Sequence, residues 1–167
     1  GTLFSHKVIV LTEMIKTMLV RKYGRRDIDV IPNGIETPDP PKDSSYLDSL
    51  GITKGGYILA VGRLVPEKGF HDLIDAWTRL RPRAAPLVIA GDADLPSAYS
   101  KSLRAKAADA GAVMTGFVHG GDLAALYAGA GLFVIPSYHE GLPLVLLEAM
   151  SYGLPLIVSD IPPHREI

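Results

Sequence analysis

Short β-branched runs alternate with stretches of helical periodicity along the whole chain. That alternation restricts the fold to a parallel sheet covered by helices on both faces. Strands are expected at residues 8–11, 57–61, 86–90, 113–115, 132–135 and 156–158, most of them apolar on both faces as buried parallel strands are. Phe70, Leu73, Ile74, Trp77 and Leu80 recur at helical spacing and would line one face packed on that sheet. Further helices are expected at 97–110, 122–127 and 143–152, the last with a proline in its first turn and Gly153 just past its end. The fold class is therefore α/β, a doubly wound parallel sheet.

At 167 residues and 47% hydrophobic, the chain has apolar material for one main core. Residues 38–45, rich in proline and polar side chains, read as a surface connector. They separate residues 1–37, with one strand and one helix, from residues 46–167, with five strands and their crossovers. The first piece is too small to bury a core alone and reads as part of a neighbouring domain. A formal net charge of -1 provides no global field for nucleic acid or anionic lipid, so any phosphate binding must be local. The absence of cysteine excludes disulfides, thiolate zinc sites and cysteine nucleophiles, and fits a reducing compartment. None of the five histidines forms a metal signature: His139-Glu140 opens like H-E-x-x-H, but Pro143 stands where the second histidine belongs. The longest apolar runs, at 132–136 and 142–147, fall far short of the roughly 20 residues of a membrane helix, so a soluble protein is expected. No cleavable signal is visible at Gly1-Thr2-Leu3-Phe4.

Two segments carry the chemistry. Val61-Gly62-Arg63-Leu64-Val65-Pro66-Glu67-Lys68-Gly69-Phe70 runs from the carboxyl end of a strand into a helix, where open α/β sheets place their ligands. Lys68 adds its charge to the helix N-terminus and Arg63 supplies a fork suited to phosphate oxygens, a pairing that points to a diphosphate. The competing reading is two solvated loop cations. Neither a P-loop nor G-x-G-x-x-G is present. In the second segment, Pro136-Ser137-Tyr138-His139-Glu140-Gly141-Leu142-Pro143, Glu140 falls in a loop and the backbone at Gly141 and Leu142 opens the next helix. Glu140 would repel phosphate and suits a hydroxyl-bearing group beside it. Glu148 lies on a helix apolar on nearly every side and needs a partner, either ligand hydroxyls or an internal salt bridge, unless its face is exposed. Asp92 reads as a turn or helix cap. Phe117 and Val118 end another strand, with Phe117 either core or a stacking platform for a base, and His119 a surface residue.

Ile31-Pro32-Asn33-Gly34-Ile35, Gly62-Arg63 with Lys68-Gly69, and Glu140-Gly141 with Glu148-Ala149-Met150 and Gly153-Leu154-Pro155 together resemble glycosyltransferase family 4, in order and spacing over nearly the whole chain. The resemblance implies the two-Rossmann-domain (GT-B) architecture, of which this chain would be the donor half: 1–37 the end of the acceptor domain and the interdomain crossing, 46–167 the nucleotide-sugar-binding domain. It implies transfer with retention of configuration from a UDP-, GDP- or ADP-sugar, without a metal or other cofactor; a place in the cytoplasm, or at the cytoplasmic face of a membrane, is expected beside it. By the same resemblance Arg63 and Lys68 bind the diphosphate and neutralise leaving charge, Glu140 contacts the transferred sugar, Gly141 and Leu142 contact sugar or phosphate, Glu148 holds the ribose, and Phe117 and Val118 face the base. The family's Gly-x-Gly after the strand at 86–90 is here Gly91-Asp92-Ala93. The missing acceptor domain makes the chain alone an expected binder that does not transfer. A nucleotide-sugar 2-epimerase and a non-catalytic nucleotide-sugar-binding module are the alternative readings.

Overall fold

The structure, a computed structural model, describes residues 5–38, 43, 45–80 and 85–167. Gly1-Thr2-Leu3-Phe4 and most of the connector at 38–45 lie outside the described residues. A small unit comes first: β1 (Val8–Val10), α1 (Glu13–Tyr23) and β2 (Ile28–Val30). Then follow α2 (Ser45–Ser49), β3 (Ile58–Val61), a 3-10 turn (Pro66–Lys68), α3 (Phe70–Arg79), β4 (Leu87–Ala90), α4 (Ala98–Ala110) and β5 (Val113–Gly116). The second half holds α5 (Gly120–Gly129), β6 (Leu132–Ile135), α6 (Leu144–Ser151), β7 (Leu156–Val158) and α7 (Pro162–Arg165).

Strands β3 to β7 form one sheet in the order β5-β4-β3-β6-β7. Every neighbouring pair in it is parallel. Side chains alternate across a strand, so consecutive residues feed opposite faces. Leu87 and Ile89 of β4 pack with Ala60, with Phe70, Ile74 and Trp77 of α3, and with Leu103 and Ala107 of α4. Val88 and Ala90 face the other way, onto Leu59, Phe133, Leu126 and Tyr127 of α5, and Leu146 of α6. Each fully buried large side chain contributes on the order of 2 kcal/mol of transfer free energy, so the two half-cores hold helices to both faces. This is the doubly wound sheet expected. β4, buried at all four residues, fits a central parallel strand, whereas β7 is exposed at all three because it flanks β6 at the sheet edge.

Three described elements depart from the sequence reading, one of them α7, a short helix where none was expected. Residues 1–37 hold two strands rather than one: β2 pairs in parallel with β1, Val8 opposite Ile28 and Val10 opposite Val30, around a small cluster that includes Leu19 of α1. α2 is another addition, introduced by Asp43, whose carboxylate accepts from the backbone N–H and hydroxyl of Ser45. Among the described residues no helix is long and apolar enough to cross a membrane.

Candidate functional site

The strand order dictates where a ligand can sit. The chain leaves β3 toward β4 but leaves β6 toward β7, so the connections diverge and open a crevice at the carboxyl ends of β3 and β6. Both chemistry-bearing segments lie there, residues 62–69 after β3 and residues 136–143 after β6. They touch because Gly69 adopts the left-handed conformation at φ 66, and a Cβ at that position would stand 2.3 Å from the Pro136 carbonyl oxygen. Only glycine lets the backbones come so close. The Tyr138 N–H then donates to the Glu67 carbonyl at 2.9 Å.

That docking joins Lys68 to Glu140. The Lys68 Nζ donates to Glu140 Oε1 at 2.6 Å, with the two side chains only 16% and 7% exposed. The Ser137 hydroxyl donates to the same oxygen at 2.7 Å. A carboxylate this deep requires such partners. The sequence reading gave Lys68 to a phosphate and Glu140 to ligand hydroxyls; in this structure each has the other as partner, because β3 and β6 are adjacent although the residues are 72 positions apart. An ammonium carries three N–H groups, so a lysine at the crevice rim can serve a carboxylate and an anion together. Arg63 lies on the same loop, 60% exposed, with Nη1 3.1 Å from Asp94 Oδ2. An exposed pair of this kind holds weakly, and the guanidinium can change partner at little expense.

Glu148 is half-buried and accepts from the Tyr127 hydroxyl at 2.7 Å. Its internal partner among the described residues is therefore a tyrosine hydroxyl and not the cation of a salt bridge. Burial first, and the adjacent Glu148 second, push the Tyr127 hydroxyl far above its ordinary value, so it remains a donor. Tyr127 stacks on Tyr152 with ring centroids 5.5 Å apart. Glu148 lines a cleft of about 350 Å³ with Tyr127, Tyr152, Gly120, Ile35 and Glu36.

At the end of β5 Phe117 is 78% exposed and lies outside the core. Val118 instead packs against the core, and the exposed His119 precedes α5 with its ring 5.8 Å from that of Phe117. Gly141, exposed, and Leu142, half-buried, lead into α6. Gly91, where the family's Gly-x-Gly begins, is committed to the chain itself: a Cβ there would lie 2.0 Å from the Gly62 carbonyl oxygen. Asp92 serves its own turn, accepting from the Ala93 N–H at 2.6 Å and pairing with Arg104, which holds its carboxyl below the usual range. Tyr127 and Ser137 are the site residues the sequence reading did not single out. Ser137 was marked only by its place three residues before Glu140.

A doubly wound domain with a cation and a carboxylate joined at its switch point belongs to the class of α/β domains that bind a ligand across the strand ends. The chain is a member of the glycosyl transferases group 1 family, which its residues 45–167 match. It is 40% identical, over its whole length, to an uncharacterised glycosyltransferase of Methanocaldococcus jannaschii, covering 45% of that protein. It is 28% identical over 93% of its length to the amylovoran biosynthesis glycosyltransferase AmsD of Erwinia amylovora, covering 44% of that protein. Among solved structures, Anabaena HepE in complex with UDP and glucose superposes on 98% of this chain with a TM-score of 0.82 and 26% identity; the match covers 46% of HepE. The chain thus spans under half the length of these relatives, and its fold is one Rossmann-like half of the GT-B architecture.

Proposed function

We propose that the chain is the donor-binding domain of a retaining glycosyltransferase and that residues 1–37 belong to the end of the acceptor domain and the crossing between the two. The observation that carries this reading is the contact of Lys68 with Glu140 at the switch point, in a member of this family. It is supported by HepE, solved with UDP-glucose. Arg63 and Lys68 bind the diphosphate. Glu140, with the backbone at Gly141 and Leu142, takes the sugar, Glu148 the ribose hydroxyls, and Phe117 and Val118 the base. In transfer the bond from the anomeric carbon to the diphosphate oxygen breaks, and the nucleoside diphosphate leaves with the electron pair. The acceptor hydroxyl oxygen becomes bonded on the face that the diphosphate leaves, and its proton passes to the departing diphosphate oxygen. Cations fixed at the leaving oxygens stabilise charge that exists only as the bond breaks, which is the part a metal ion plays elsewhere. The relatives are more than twice as long, so the acceptor half lies outside this chain in our reading. The chain alone then binds donor without transferring it. A cytoplasmic place of action goes with this reading, since a chain without cysteine loses nothing in a reducing compartment.

Calorimetric titration with UDP, GDP and ADP tests it. One of the three is expected to bind. At 100 times its dissociation constant it should add about 2.7 kcal/mol of stability by linkage. No heat and no thermal shift with any of them would overturn the assignment.

A further inference from the structure

The loop that carries Glu140 is fastened to the head of α3 by side chains that donor binding leaves unused. The Tyr138 hydroxyl donates to the Asp72 carboxylate. Its proton is thereby spent, so its oxygen accepts from His71, whose Nε2 lies 3.2 Å away. That fixes the imidazole with its proton on Nε2 and leaves Nδ1 to accept from the Tyr99 hydroxyl at 2.9 Å. The rings meet edge to face, His71 with Tyr99 at 5.6 Å and His71 with Tyr138 at 5.9 Å between centroids. The hydrogen bonds run in one direction, from Tyr99 of α4 through His71 and Tyr138 to Asp72 of α3, and each group is used once in the sense its chemistry allows.

Burial does not explain why Tyr138 is held there, since it is 54% exposed. Its neighbours in the loop, Ser137 and Glu140, are buried, and they make the bonds that fix the Glu140 carboxylate. Tyr138 therefore fastens from outside a loop whose working groups point in. Desolvation of Tyr99 and the Asp72 bond of Tyr138 both raise these phenols above their ordinary values, which keeps them protonated and the chain of donors intact.

We propose that Tyr99, His71, Tyr138 and Asp72 form a positioning relay that clamps the β6–α6 loop onto α3, so that Glu140 stays against Lys68 in the geometry that grips the sugar of the donor. This rests on the donor-binding reading above. Tyr138 and His71 are positioning residues: they act through Glu140 and do not touch the ligand.

Tyr138→Phe keeps the ring and removes only the hydroxyl. Two readouts are compared in the 167-residue chain. The first needs no ligand: hydrogen exchange of the Tyr138 amide, which donates to Glu67, reports whether the loop is docked. It is expected to quicken by about fivefold, the size of one lost hydrogen bond, with α6 unchanged. The second is the ratio of affinities for a nucleotide sugar and for the bare nucleoside diphosphate, with UDP-glucose and UDP as the first pair. The sugar increment is expected to fall by about fivefold while the UDP affinity stays within about twofold. His71→Phe should repeat both effects, and His71→Gln, which keeps a donor and an acceptor, should recover part of them. Unchanged exchange overturns the relay, and so does a stability loss with the sugar increment intact. Absence of all nucleotide binding overturns the donor reading instead, and the exchange result still decides whether the relay docks the loop.

Discussion

Lys68 and Glu140 are the residues whose electrostatics are most exposed to test. With both side chains largely shielded from water, removing one partner leaves the other charge stranded. Lys68→Met should therefore destabilise the chain by about 3 kcal/mol in urea unfolding at neutral pH, because among the described residues Glu140 then retains only the Ser137 hydroxyl. Adding Glu140→Gln removes the stranded charge, so the double variant should recover much of that loss; equal stability of the two variants would mean that the pair is solvated. Arg63 behaves in the opposite way. Its exposed pairing with Asp94 contributes little, so Arg63→Ala should change stability by less than about 0.5 kcal/mol. If Arg63 serves the diphosphate, the same change should weaken nucleoside diphosphate binding at least about tenfold, the worth of one charge-assisted hydrogen bond. A variant that folds normally and binds normally would remove Arg63 from the site.

Elements enter through the loops that link them. The β3–α3 and β6–α6 loops meet at Gly69, where both the left-handed backbone and the nearby Pro136 carbonyl refuse a side chain. Gly69→Ala is expected to lose more than about 2 kcal/mol in urea unfolding and to disturb Lys68 and Glu140 together. Gly141→Ala, in open space, should leave stability within about 0.5 kcal/mol, so any affinity lost there reports contact with ligand. α1 starts beneath the Glu166 carboxylate, which accepts from the Glu13 and Met14 N–H groups at 2.9 Å each. Glu166→Ala should quicken exchange of those two amides and shorten α1 from its first turn. Elements with their own local pattern were legible: α3 through Phe70, Ile74 and Trp77, and α4, expected at 97–110 and found at Ala98–Ala110. β2 was not, being three residues with Asp29 in the middle, and α2 is five residues with Leu47 alone buried. The site was legible as two loops, not as contacts. Lys68 with Glu140, and Tyr127 with Glu148, meet only through strand order, across 72 and 21 positions that carry no shared local signal.

Across the whole molecule, both faces of the sheet close on buried groups, and on one of them the packing includes two phenols whose ionisation the fold resists. Tyr57, 1% exposed, donates to the Leu126 carbonyl at 2.6 Å, and Tyr127, 2% exposed, donates to Glu148. A phenolate at either place would face an acceptor with no donor and little water. Burial, joined at Tyr127 by Glu148, drives both hydroxyls well above the ordinary value of 10.0. In the unfolded chain each phenol titrates near pH 10, so above that the unfolded state sheds protons that the folded state retains. The sign follows: this stability is complete below pH about 10 and declines as pH rises past it, by about 1.4 kcal/mol per pH unit for each tyrosine. Urea midpoints measured from pH 8 to 11 should hold until about pH 10 and then drop. Tyr57→Phe should lower stability at neutral pH through its lost hydrogen bond yet flatten the alkaline decline by about one proton's worth. Phenolate absorbance from these two residues should rise together with unfolding. If it grows in near pH 10 while the chain remains folded, the two hydroxyls are open to water and the packing around Leu126 and Glu148 is looser than the structure describes.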